Sequence, residues 1–325
     1  MALGLLLAAC ARPAPTPPAT EARARGSVIE GRFQADSLGV DKRYRAYLPA
    51  GYAESSARFP VIYLLHGLSG NENDWLEAGK LDQAADSLGL RAIVVMPDGD
   101  ASFYTNSVAP ADYDACMRGP AKRFFRRAEA PESFCVRTPR YEDYLTRDLI
   151  AHVDSTYRTI STRAGRAIGG LSMGGFGALS IAMRHPELYS AAASHSGVVA
   201  LLYAGPHPYR KDAVQLVTDP SKWGLDVGEI GTLVRGLFGP DLANWRAHDP
   251  ATLAATLPEG KLALFLDCGT EDDFALQDAA AYLHDVLATA GVTHQLTLIP
   301  GRHNFQLWRA RIHDSLAFFA AHFQR

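Results

Sequence analysis

Gly170-Leu171-Ser172-Met173-Gly174-Gly175 decides the reading of this chain. It follows a short stretch from Arg166 to Gly169 and opens a helix-compatible run, Phe176 to Arg184. A Gly-x-Ser-x-Gly segment set between strand and helix is the context of a nucleophile elbow. Such a turn forces Ser172 into a strained backbone, and small residues two before and two after it let strand and helix approach without side-chain clash. A hydroxyl held there points out of the sheet. A glycine-rich turn with an incidental serine reads the same over these six residues, so the assignment depends on the rest of the chain.

An acid and a histidine follow in the order Ser, Asp, His that elbow-bearing hydrolases use. Lys261 to Leu266 is an apolar run suited to a buried parallel strand, and it leads into Asp267-Cys268-Gly269-Thr270-Glu271-Asp272-Asp273, a turn crowded with carboxylates. His294 to Ile299 reads as another strand, followed by Pro300-Gly301-Arg302-His303-Asn304-Phe305 and an amphipathic helix. Acid and histidine therefore both fall just past strand ends, where α/β sheets place their sites. A base on such a loop can reach Ser172 on one side and a carboxylate on the other.

His66-Gly67-Leu68-Ser69-Gly70 comes directly after the strand-like Pro60 to Leu65. Glycines at this point let the backbone curl so that the Leu68 N–H faces the nucleophile, and the Met173 N–H supplies a second donor. Together they form an oxyanion hole, in which losing one donor costs about 100- to 1000-fold in rate.

With these segments in view, the chain resembles the esterase D or antigen 85 type α/β-hydrolases, which include S-formylglutathione hydrolases, feruloyl and acetylxylan esterases, and mycolyltransferases. The matching residues are Leu64 to Leu68, Val95 to Gly99 with Phe103 to Asn106, Tyr141 to Leu145 with Asp148-Leu149, Gly170 to Gly175, His185-Pro186, Ser196-Gly197 and Gly301 to Asn304. The resemblance implies Ser172 as nucleophile, Asp272 as acid, His303 as base, and Leu68 and Met173 as oxyanion donors. Asp272 is chosen on the Gly269-Thr270-Glu271-Asp272 spacing of the family. The residues themselves leave Asp273 and Glu271 open.

The coarse pattern agrees with a mostly parallel central sheet covered by helices on both faces, the α/β-hydrolase fold that the resemblance implies. Two antiparallel-looking strands (Val28 to Phe33, Arg43 to Leu48) precede strands near 60–65, 91–96, 166–169, 190–194, 261–266 and 294–299. Helical patterns lie near 80–89, 141–157, 176–184, 275–290 and 305–322. Two insertions near the site, 107–140 and 198–260, interrupt the alternation and are expected to build the pocket's wall or lid. The catalytic domain is set at 27–325.

With 325 residues, 47% of them hydrophobic and 21% charged, the chain can bury one large core. A formal net charge of −3 argues against a nucleic-acid partner. The basic cluster Lys122-Arg123-Phe124-Phe125-Arg126-Arg127 is short and reads as a solvated face. No metal or cofactor is expected, since no His-x-x-x-His or Cys-x-x-Cys spacing occurs and the proposed chemistry needs none.

Residues 1–10 form an apolar stretch too short to span a bilayer and read as a secretion signal. Leu7-Ala8-Ala9-Cys10 resembles a bacterial lipobox, which implies cleavage before Cys10 and lipid attachment to it. No Lys or Arg precedes the apolar core, a departure from the usual signal. Residues 11–26 are proline-rich at first and read as an extended tether. The expected product is an exported, membrane-anchored lipoprotein.

Cys116 and Cys135, 19 positions apart, suit a disulfide in an oxidising compartment, limiting the unfolded chain by about 3 kcal/mol. Cys268 reads as a small buried residue. The expected activity is hydrolysis of a small-molecule or polysaccharide-linked ester through an acyl-enzyme. Two alternatives stand beside it: acyl transfer with the same triad, and a hydrolase-like binding protein without catalysis.

Overall fold

Val61, Tyr63 and Leu65 pack into one hydrophobic cluster and Ile62 and Leu64 into another, and all five are buried. A strand apolar on both faces must lie in the middle of a sheet covered on both sides, and this one does. The computed structural model describes residues 24–118, 130–224 and 229–323. Among these the strands are β1 (Ser27–Ala35), β2 (Val40–Leu48), β3 (Val61–Leu65), β4 (Ile93–Pro97), β5 (Arg166–Leu171), β6 (Ala191–His195), β7 (Tyr203–Gly205), β8 (Gln215–Leu216), β9 (Ala263–Gly269) and β10 (His294–Ile299).

Eight of them form one sheet in the order β1-β2-β4-β3-β5-β6-β9-β10, while β7 and β8 make a separate ribbon. β1 with β2 and β2 with β4 are antiparallel, and every later pairing in the large sheet is parallel. The register aligns the carboxyl ends: Leu65 faces Gly170, Leu171 faces His195, His195 faces Asp267, and Ile299 faces Gly269. Loops that leave β3, β5, β9 and β10 therefore emerge side by side on one rim.

The helix Met173–Arg184 is buried along nearly its whole length against one face, and the helix Phe305–His322 covers the other through Leu307, Trp308, Ile312, Leu316 and Phe319. Several boundaries differ from the sequence pattern, β2 starting three residues earlier and β9 ending three residues later, and two of the differences bear on the site. β5 runs on to Leu171 because the glycines leave room for pairing with β6, and the Ser172 N–H continues it by donating to His195 O at 2.9 Å. The helix expected over 141–157 is in three parts: a short α-turn Tyr141–Asp143, π-helical turns over Tyr144–Leu149, and α-helix Ile150–Thr156. Thr146 Oγ1 donates to Glu142 O at 2.7 Å within the widened stretch.

Cys116 and Cys135 form a disulfide with Cα atoms 5.7 Å apart. Residues 133–138, around Cys135, pack beside the β1–β2 turn and the start of β2, where Leu38 O accepts from the N–H groups of Arg137 and Thr138 and Lys42 Nζ donates to Ser133 O. Cys10, residues 1–23 of the signal and tether, and the basic cluster at 122–127 lie outside the described residues.

Candidate active site

Ser172 has φ 52° and ψ −118°, a left-handed backbone that a residue with a Cβ adopts only when the surroundings enforce it. The enforcement is steric. A Cβ on Gly174 would stand 2.5 Å from Leu65 O, and one on Gly170 would stand 2.5 Å from the Gly174 backbone. Only glycine at both positions lets β3, β5 and the following helix converge this closely, and Ser172 is left at the helix N-terminus.

His303 Nε2 lies 2.9 Å from Ser172 Oγ, and His303 Nδ1 lies 2.7 Å from Asp272 Oδ2. The Asp272 side chain is sealed from water, and its other oxygen accepts the Phe274 N–H at 3.0 Å. Three side chains far apart in sequence thus form one hydrogen-bonded relay. The imidazole is flanked edge to face by Phe274, at 4.8 Å between ring centres, and by Trp308 at 5.0 Å.

The neighbouring acids are placed differently. Asp273 is exposed and turned to Arg302, whose guanidinium holds it below the usual carboxylate range, with the His303 N–H adding to the effect. Glu271 is exposed as well. Of the three carboxylates left open by the sequence, Asp272 is the one whose side chain meets the imidazole. Cys268 is buried with Sγ 3.6 Å from Asp272 Oδ2, and burial pushes its thiol up, away from nucleophilic thiolate chemistry.

On the opposite side, Leu68 and Met173 line the same cavity as Ser172 and His303. The His66 ring braces the loop that carries Leu68. Its Nε2 accepts the Gly99 N–H at 2.9 Å, which leaves Nδ1–H to donate to Gly67 O at 2.8 Å. The cavity measures about 470 Å³, and much of its wall is apolar, including Phe103, Val198, Ile230, Phe274, Phe305 and Trp308. Val198 and Ile230 come from the 198–260 insertion. No described residue of 107–140 lines it: residues 133–138 are held at the β1–β2 side by the contacts with Leu38 and Lys42, and Val108 N–H donates to Leu237 O at 2.9 Å in the other insertion.

The sequence model of the Esterase family matches residues 35–319, almost the entire described chain. The chain belongs to the Esterase family. An esterase of Mycobacterium tuberculosis is 28% identical over 288 residues, covering 85% of this chain and 55% of that protein. The chain thus spans little more than half the length of that curated relative. Among solved structures, an S-formylglutathione hydrolase from Agrobacterium tumefaciens superposes with a TM-score of 0.69 at 20% identity, covering 94% of this chain and 98% of that one. A ferulic acid esterase superposes at 0.67 and 20% identity, covering 93% of this chain and all of its own. At such identities the structures establish the α/β-hydrolase fold.

Around the relay of this esterase-family chain lie polar networks that sequence reasoning did not find. Asp267 accepts from His195 Nδ1 at 2.9 Å and from the half-buried Arg311 Nε at 3.1 Å, while His195 Nε2 lies 3.0 Å from Ser315 Oγ, with Asp267, His195 and Ser315 all in the interior. This network ties the C-terminal helix to the ends of β6 and β9 beneath the elbow. Lys42 is fully buried and donates to Asp98 and Asp100, both at 2.8 Å. Glu142 gathers Arg184 Nε at 3.1 Å and His185 Nε2 at 2.7 Å, with His248 Nε2 at 3.6 Å. A histidine on an apolar strand and a lone lysine in a β-hairpin carry no sequence period that would pair them with partners 50 or more residues away. Among the described residues no group of three or more His, Cys, Asp or Glu is arranged to hold a metal ion.

Proposed function

We propose that the chain is a serine carboxylic-ester hydrolase that works through an acyl-enzyme on Ser172. The observation that carries this reading is the unbroken relay Ser172 Oγ, His303 Nε2, His303 Nδ1, Asp272 Oδ2, with spans of 2.9 and 2.7 Å. In this reading His303 takes the Ser172 proton as the hydroxyl attacks the ester carbonyl, and Asp272 holds the ring in the Nδ1–H tautomer and stabilises the imidazolium. The Leu68 and Met173 amides bind the oxyanion of the tetrahedral intermediate. His303 then protonates the departing alcohol, and a water activated by the same base releases the acid.

The apolar wall of the cavity supports an ester with an apolar acyl group, and the name of the ferulic acid esterase among the structural neighbours makes ferulate esters, free or polysaccharide-linked, the first class to assay. Export is part of the proposal, with the lipid on Cys10 as anchor. The Cys116–Cys135 disulfide supports it, because such bonds persist in oxidising compartments.

The test compares the full chain with Ser172→Ala on p-nitrophenyl acetate and methyl ferulate, with and without an acceptor alcohol. Loss of at least about 1000-fold in kcat in the variant supports the assignment. Turnover that survives the substitution rejects it, and an acyl product on the alcohol in place of free acid identifies transfer.

A further inference from the structure

We propose that Asp273 is a positioning residue that latches the His303 loop through its backbone, with Arg302 holding the latch in register. This rests on the reading of His303 as the base. Past the ends of β9 and β10 the two loops stay zipped: Thr270 N–H donates to Ile299 O at 2.8 Å and Glu271 N–H to Gly301 O at 3.0 Å. The zipper closes on His303, whose backbone N–H donates to Asp273 Oδ2 at 3.2 Å while its ring meets Asp272. Two consecutive carboxylates therefore grip one histidine, one by its ring and one by its main chain. Gly269 makes the approach possible, since a Cβ there would stand 2.2 Å from Gly301 O.

Arg302 decides which acid does which. Its Nε donates to Asp273 Oδ1 at 2.9 Å and its Nη2 contacts the same oxygen, so Asp273 is turned outward and leaves the imidazole to Asp272. The pair is exposed, 66% for the Arg302 side chain and 33% for Asp273. Exposed ion pairs contribute little to folding. The effect of the latch therefore falls on alignment of the relay, where displacement of about 1 Å can cost about 100-fold.

The experiment measures kcat, KM and melting temperature of the full chain for Asp273→Ala, Asp273→Asn and Arg302→Ala on p-nitrophenyl acetate. Asp273→Ala is expected to lose about 10- to 100-fold in kcat with KM within about threefold of the parent. Asp273→Asn keeps an oxygen that can accept the His303 N–H, and is expected to recover most of that loss. Arg302→Ala is expected to fall in between. An Asp273→Ala kcat within twofold of the parent overturns the proposal, as does an Asn variant as defective as the Ala variant. Should Asp273→Ala melt far below the parent, the comparison of Asp273→Asn with Arg302→Ala decides. A parent chain without turnover counts instead against the esterase reading.

Discussion

Asp272 Oδ2 stands 2.7 Å from His303 Nδ1, and neither side chain is more than 8% exposed. A carboxylate sealed this well cannot be replaced by water when its charge is removed. Asp272→Asn keeps the shape but presents an amide to Nδ1 and favours the wrong imidazole tautomer. We expect kcat to fall by about 10,000-fold with the fold intact. Steady-state kinetics with circular dichroism checks this, and a loss under tenfold would remove Asp272 from the relay.

The elbow depends on two glycines touching backbone. A Cβ on Gly174 would stand 2.5 Å from Leu65 O and 2.6 Å from His66 O, and neither carbonyl can rotate away without moving β3 and the loop that carries Leu68. Gly174→Ala is expected to cost about 1–3 kcal/mol of stability and most of the activity. Thermal melts and kcat measure both, and a parent-like variant would show that the close approach is relaxed in solution.

Which parts of this arrangement were legible depends on the range of the interactions behind them. The apolar runs of β3, β9 and β10 and the elbow at Ser172 are local patterns, and the structure places β3 and β10 within one residue of the reading and β9 within three. The choice among Glu271, Asp272 and Asp273 is not local. It is made by Arg302 and the Phe274 N–H, which only the folded loops bring together. The placing of residues 133–138 is likewise not local, because it is made by contacts with Leu38 and Lys42, about 90 or more positions away.

Neither cysteine of the disulfide lines the cavity, so stability and catalysis are expected to separate there. Cys116 and Cys135 close a loop with a sequence separation of 19, worth about 3 kcal/mol in the chain-entropy model. Replacing both with serine is expected to lower the melting temperature by several degrees while kcat stays within about twofold. Differential scanning fluorimetry beside the ester assay tests the separation. A large loss of kcat at full folding would place the segment over the cavity.

Glu142 gives the stability a pH signature. Burial works to raise its carboxyl, but the hydrogen bonds from His185 and His248 and the charge of Arg184 outweigh it and hold Glu142 well below the usual range. The hydrogen bond to Glu142 chiefly raises His185. The Glu142 contribution is present above the unfolded carboxyl value, about 4.3, and is lost as pH falls through the lower folded value. The His185 contribution is present below about 6.5 and is lost as pH rises through the raised folded value. The melting-temperature gap between parent and Glu142→Gln should therefore be widest at about pH 5 to 6.5 and narrow on both sides. A gap independent of pH from 3 to 9 would contradict this origin.

On the proposed function, His303 turns the Ser172 hydroxyl into a nucleophile. The most direct measurement of this role is covalent labelling of the full chain by a fluorophosphonate, followed by peptide mapping in the parent and in His303→Ala. A single adduct is expected on the peptide carrying Ser172, formed rapidly in the parent and slowed by at least about 1000-fold in the variant. An adduct on another residue, or labelling of Ser172 at an equal rate without the imidazole, would contradict it.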